Sequence, residues 1–139
     1  MHLFLALSCQ VTTAVSTTTE APDATAAAPE TQVQAPPPAE PSEGDLLLSD
    51  LRSKPLTYTR HAECRMGCRQ VSEAEVQELL TVGVWVPERS RDDGECPSHA
   101  VEGTSSEGQS LRIVYAACDT ETKVVTTIDL NQDWPCDCE

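Results

Sequence analysis

VSEAEVQELLTVGVWVPE, residues 71–88, decides the fold, because the spacing of its apolar residues changes midway. Ser72 stands where a helix N-cap should. Glu75 follows at capping-box spacing, and Val71 and Val76 occupy the staple positions on either side. Val76, Leu79 and Leu80 recur at the helical period and form one apolar face, and Gly83 is placed to stop the helix as a left-handed residue. From Gly83 the period drops from 3.6 to 2, and GVWVPE predicts a strand.

Upstream lies TYTRHAECRMGCRQ, residues 57–70. Thr57 or Thr59 can cap a helix that runs to about Arg69. His61, Cys64 and Cys68 share one stripe of it, and Ala62, Met66 and Arg69 another. Gly67 weakens this helix but allows a neighbour to approach closely. Before it, Leu46, Leu47, Leu48 and Leu51 predict one docked helical turn, interrupted by Pro55. Downstream, HAVEGTS, SLRIVYAAC and KVVTTIDL predict three more strands joined by Gly-containing or polar turns. SLRIVYAAC is almost continuously apolar, as a central strand should be. The expected class is α+β, with two N-terminal helices packed on a four-stranded, mainly antiparallel sheet.

The N-terminal part is of another kind. HLFLALSCQ, residues 2–10, resembles the end of a bacterial lipoprotein signal, in which a cysteine after small and apolar residues is lipidated. Cys9 is the expected lipidation site. A basic pair and a longer apolar run upstream of Met1 would complete the signal. Residues 10–45 are rich in Pro, Ala and Thr and show no apolar periodicity, which predicts a disordered linker. About 35 such residues reach roughly 30 Å, enough to hold residues 46–139 off a membrane. The expected location is the bacterial envelope, lipid-anchored and facing the periplasm or the outside.

The formal charge is -14. Residues 1–54 hold two basic and seven acidic side chains, leaving seven basic and sixteen acidic in 55–139. So acidic a domain repels phosphate backbones, which disfavours nucleic acid as a partner.

Apart from Cys9, six cysteines remain: Cys64, Cys68, Cys96, Cys118, Cys136 and Cys138. An even number in a small exported domain predicts disulfides, with 15 possible connectivities. Cys136 with Cys138 would close a strained ring, and Cys64 with Cys68 on one helix has poorly aimed Cβ vectors. The favoured pattern joins the helix pair to the tail pair and leaves Cys96 for Cys118. No cofactor is implied. The alternative is a structural zinc on Cys64, Cys68, Cys136 and Cys138, with His61 in reserve, although neither spacing is the usual C-x2-C knuckle.

Catalysis is the weakest reading. His61 with Arg60, Arg65 and Arg69 has the composition of a phosphodiesterase site, histidine as acid and base and arginine as charge stabiliser, with Tyr115 or Thr126 from the sheet. Against it, the arginines have Glu63, Glu73 and Asp137 as candidate partners, and His61 suits packing. Trp85 and Trp134 are expected to pack rather than bind.

The pattern Thr59-x-His61-Ala62-x-x-Arg65-Met66-x-x-Arg69-x-Val71-Ser72-x-x-Glu75-Val76, followed by RIVYAACDTETKVVTTIDL, resembles domain of unknown function family 4258 over about residues 56–131. The RHAxCRMxCR motif and the CDC tail look closest to a cysteine-rich, envelope-targeted branch seen in Bacteroidota-like bacteria. The resemblance implies a fold similar to small RelE-like or barnase-like toxin domains. It implies no activity, so it assigns no catalytic residue.

Overall fold

The computed structural model describes residues 35–139, of which Pro38–Glu139 form one compact unit. The expected leader, Cys9 and most of the expected linker lie outside the described residues. The elements follow in the order α1 (Glu43–Ser53), β1 (Leu56–Tyr58), α2 (Arg60–Arg69), α3 (Glu73–Val82), β2 (Val84–Arg91), β3 (Ser98–Thr104), β4 (Ser110–Ala117) and β5 (Thr122–Asp129). The fold is α+β, but with three helices and a five-stranded mixed sheet rather than two and four.

Both additions have a physical reason. The leucine cluster is a full helix because Ser42 and Asp45 form a capping box: Asp45 N–H donates to Ser42 Oγ (3.2 Å) and Ser42 N–H to Asp45 Oδ2 (3.0 Å). Asp in place of Glu or Gln hides that signal. α1 therefore begins at Glu43, inside the stretch assigned to the linker. β1 has three residues, too few to show an alternation, and is a strand because it pairs in parallel with β5 (Leu56 opposite Thr122, Tyr58 opposite Val124).

The sheet order is β1-β5-β4-β3-β2, antiparallel from β5 to β2, with β4 central. Leu111, Ile113 and Tyr115 alternate along β4 and are fully buried. Val101 on β3 stands opposite Ile113, and Val124 on β5 opposite Tyr115. Against this layer α3 sets Val76, Leu79 and Leu80, while Leu48 and Leu51 of α1 extend the same cluster. Tyr115 ties the two layers directly, its hydroxyl donating to the Val76 carbonyl at 2.6 Å.

α3 starts as the sequence predicts. Ser72 Oγ accepts from Glu75 N–H (3.2 Å) and the Glu75 carboxylate accepts from Ser72 N–H (2.9 Å). Its end differs. Gly83 is extended (φ −79°), and the left-handed residue is Gln70 after α2 (φ 56°). Glycine is needed at 83 for space: a Cβ there would lie 2.4 Å from the Leu79 carbonyl oxygen and 2.6 Å from Val101 Cγ1. Gly67 shows the reverse, since a Cβ would meet nothing within 4 Å and no neighbour approaches it closely.

Candidate functional site

α2 buries only Ala62 and Met66. The rest of its attachment is polar, and it accounts for one of the suspected catalytic residues. Beyond Tyr58 the chain leaves β5, and the outer edge of β5 would be left with bare carbonyls. Thr59 N–H takes that of Val124 (3.0 Å), the Thr59 hydroxyl takes that of Val125 (3.0 Å), and the Arg69 guanidinium takes that of Thr127. Thr59 Oγ1 also accepts from Ala62 N–H (3.0 Å), so one hydroxyl caps the helix and fastens it to the strand. Arg69 thus does the work of a strand where β1 has ended.

At 3.6 residues per turn His61, Arg65 and Arg69 fall in one column, between the Cys64 and Cys68 side and the buried Ala62 and Met66 side. The column is half-buried. The expected pairing of the arginines with Glu63, Glu73 or Asp137 does not occur: among the described residues Arg60, Arg65 and Arg69 form no ion pair. The Nε atoms of Arg65 and Arg69 are buried without a protein partner. Burial, and then Arg65 beside it, pull the Arg69 guanidinium below its ordinary value, with Asp129 and Asp133 opposing. The expected sheet groups do not join this column. Tyr115 is fully buried and bonded to α3, and Thr126 faces Val114, on the side of the sheet away from Ile113.

The tail crosses α2. Cys64 is bonded to Cys138 and Cys68 to Cys136, with Cα–Cα distances of 5.8 and 5.9 Å, so the tail runs antiparallel to the helix. Cys96 and Cys118 link the chain before β3 to the end of β4 (Cα–Cα 4.7 Å). Asp129 starts the tail, accepting from Asn131 N–H (2.9 Å), Gln132 N–H (3.1 Å) and Trp134 Nε1 (3.0 Å). The Trp134 bond, against burial and with help from the two N–H groups, holds the Asp129 carboxyl below the usual carboxylate range. The four thiols of the alternative zinc site are all in bridges. Among the described residues no three His, Cys, Asp or Glu side chains gather as metal ligands. Trp85 packs as expected, its Nε1 donating to Ser90 Oγ (2.9 Å) and its ring edge-on to His99 at 6.2 Å.

A concavity lies elsewhere, between the end of α1, β1 and the outer side of α3. It measures about 450 Å³ and is lined by Arg52, Lys54, Leu56, Tyr58, Glu73, Gln77, Leu80 and Thr81. Arg52 is fixed to its wall by a bond to the Leu80 carbonyl (2.8 Å), and Lys54 pairs with Asp50 (2.9 Å). The Tyr58 ring packs on the core, and its hydroxyl is buried without a protein partner. Burial, and then the charge of Glu73, push the Tyr58 phenol up, so it stays protonated. Sequence reasoning missed this cleft because its walls come from three separated segments. The Arg52-Ser53-Lys54 run was its only visible trace.

The molecule is thus an α+β domain whose tail is fastened by two disulfides across a helix. The family model described as Domain of unknown function (DUF4258) matches residues 58–129, and the chain belongs to that family. Neither the curated proteins nor the solved structures yield a match. The matched span runs from the end of β1 to the end of β5. The basic wall of the cleft and the Cys136 and Cys138 tail lie outside the matched span, on either flank.

Proposed function

We propose that the chain is an extracytoplasmic binding domain of the bacterial envelope, carried on a Pro/Ala/Thr-rich arm from a lipidated Cys9. The observation that carries this reading is the use of all six cysteines of the domain in three disulfides. Bridges of this density persist where thiols are oxidised, outside the cytosol. Among the described residues no helix is long and apolar enough to cross a membrane, so retention at the envelope would rest on the lipid. A binding role is supported by the cleft, which has the size of a small-molecule site.

The nuclease alternative, based on a RelE-like analogy, draws no support from α2. Arg69 is engaged with the edge of β5, and Tyr115 is fully buried and bonded to α3. Fractionation of producing cells tests the anchoring. Wild type should sediment with membranes and Cys9→Ser should be released; a wild type found in the soluble fraction refutes the anchor. RNA cleavage by wild type that is lost in His61→Ala would refute the binding role in favour of the alternative.

A further inference from the structure

The cleft has a direction. Glu73, Gln77, Leu80 and Thr81 follow one another at helical spacing, so a single side of α3 forms one long wall. Glu73 lies at one end. At the other, Arg52 is held at the Leu80 carbonyl. Seven residues separate Glu73 from Leu80 in the sequence, and at helical rise that is roughly 10 Å. With Glu73 and the Arg52 guanidinium at backbone positions that far apart along α3, Gln77 between them and Leu56 and Leu80 as apolar lining, the site is graded from acidic to basic. An extended chain spans about 3.4 Å per residue, so about three residues bridge the two charges. The domain is acidic as a whole, yet two of the three charged side chains lining this cleft are cationic. That local excess favours a carboxylate at the Arg52 end, where the planar guanidinium can hold it by two parallel bonds.

We infer that the cleft between α1, β1 and α3 binds a short peptide of about three residues with both termini free, its ammonium at Glu73 and its carboxylate at Arg52. Gln77 then serves the peptide groups between. The inference rests on the binding reading above, but its test is separate. Fractionation and disulfide mapping report on compartment, whereas a titration reports only on the cleft.

The test is an amide-resonance titration of the oxidised full chain with trialanine, N-acetyl-trialanine and trialanine amide. Trialanine should shift the resonances of residues 52–58 and 73–81. Each blocked peptide should bind about tenfold more weakly, since each loses one charge-assisted contact. Arg52→Gln should bind trialanine and its amide equally. Gln77→Ala, at an exposed position of α3, should weaken binding with no loss of thermal stability. The inference is overturned by unshifted resonances in those two segments at about 10 mM trialanine, by shifts confined to another surface, or by equal binding of free and blocked peptides.

Discussion

α2 and α3 are both ten residues long and lie on the same side of the sheet, yet they are held there by different physics. α3 buries Val76, Leu79 and Leu80, starts in a capping box, and has Glu75 inside the protein, where Ser105 Oγ donates to its second oxygen at 2.7 Å. α2 buries one alanine and one methionine. It is held by Thr59 and Arg69 on the edge of β5 and by two disulfides to the tail. Burial of branched side chains orders α3 whatever the redox state. Cross-links act on α2 mainly by restricting the unfolded chain, and they can be removed chemically.

The sharpest way to break this contrast is to remove the tail bridges. They are nested, 74 and 68 residues apart, so the second closes only a small ring once the first exists. Loop-closure entropy puts the loss of one bridge at about 2 kcal/mol and the loss of the remaining one at a further ~4 kcal/mol. Cys64→Ser with Cys138→Ser should therefore cost much less in urea unfolding than the subsequent removal of Cys68 and Cys136. Amide exchange should accelerate in α2 and the tail and remain slow in α3. Uniform acceleration would show that the two helices share one support.

Leu79→Ala should do the opposite, destabilising the whole domain by roughly 2–5 kcal/mol in oxidised and reduced protein alike. Gly83→Ala forces a Cβ against the Leu79 carbonyl and Val101, and should lower stability by about 1–3 kcal/mol.

Glu75 sharpens the comparison through pH. Burial raises its carboxyl, but the hydrogen bonds from Ser72 and Ser105 outweigh burial and leave it below its ordinary value of 4.5. Its stabilisation is thus complete above that value and lost as pH falls through the depressed one. Glu75→Gln should cost about 1–3 kcal/mol near neutrality and flatten the acid limb of a stability-against-pH curve. Smallest is Gly67→Ala on α2, which should stabilise by about 0.5–1 kcal/mol, since the added methyl meets open space in a helix.

The contrast also explains what could be read from the chain. α3 announced itself because Ser72, Glu75 and the valines around them are local signals of one helix start. β2 was legible by alternation, β4 by its almost continuous apolar run, and β3 and β5 by the turns that bound them. α1 was reduced to a turn because Asp45 stands in for the usual Glu, and β1 was missed because its partner lies 66 residues away. The C-x3-C pair and the C-x-C pair cannot easily close on themselves, so their geometry carried information even without a fold. The column of His61, Arg65 and Arg69 looked like chemistry for a reason only the sheet reveals: an arginine was needed where β1 stops. The cleft left almost no mark, since Arg52, Tyr58 and Glu73 become neighbours only after α1 and β1 take their places.

Peptide mapping without reductant, on protein taken from producing cells, tests the central claim most directly. Trypsin cuts after Arg65 and separates Cys64 from Cys68, while cleavage before Asp137 separates Cys136 from Cys138. The expected result is cross-linked peptides pairing Cys64 with Cys138, Cys68 with Cys136 and Cys96 with Cys118, the intact chain being lighter by two hydrogens per bridge. Free thiols at Cys64 and Cys68 would contradict the account of how α2 is held, and with it the extracytoplasmic location.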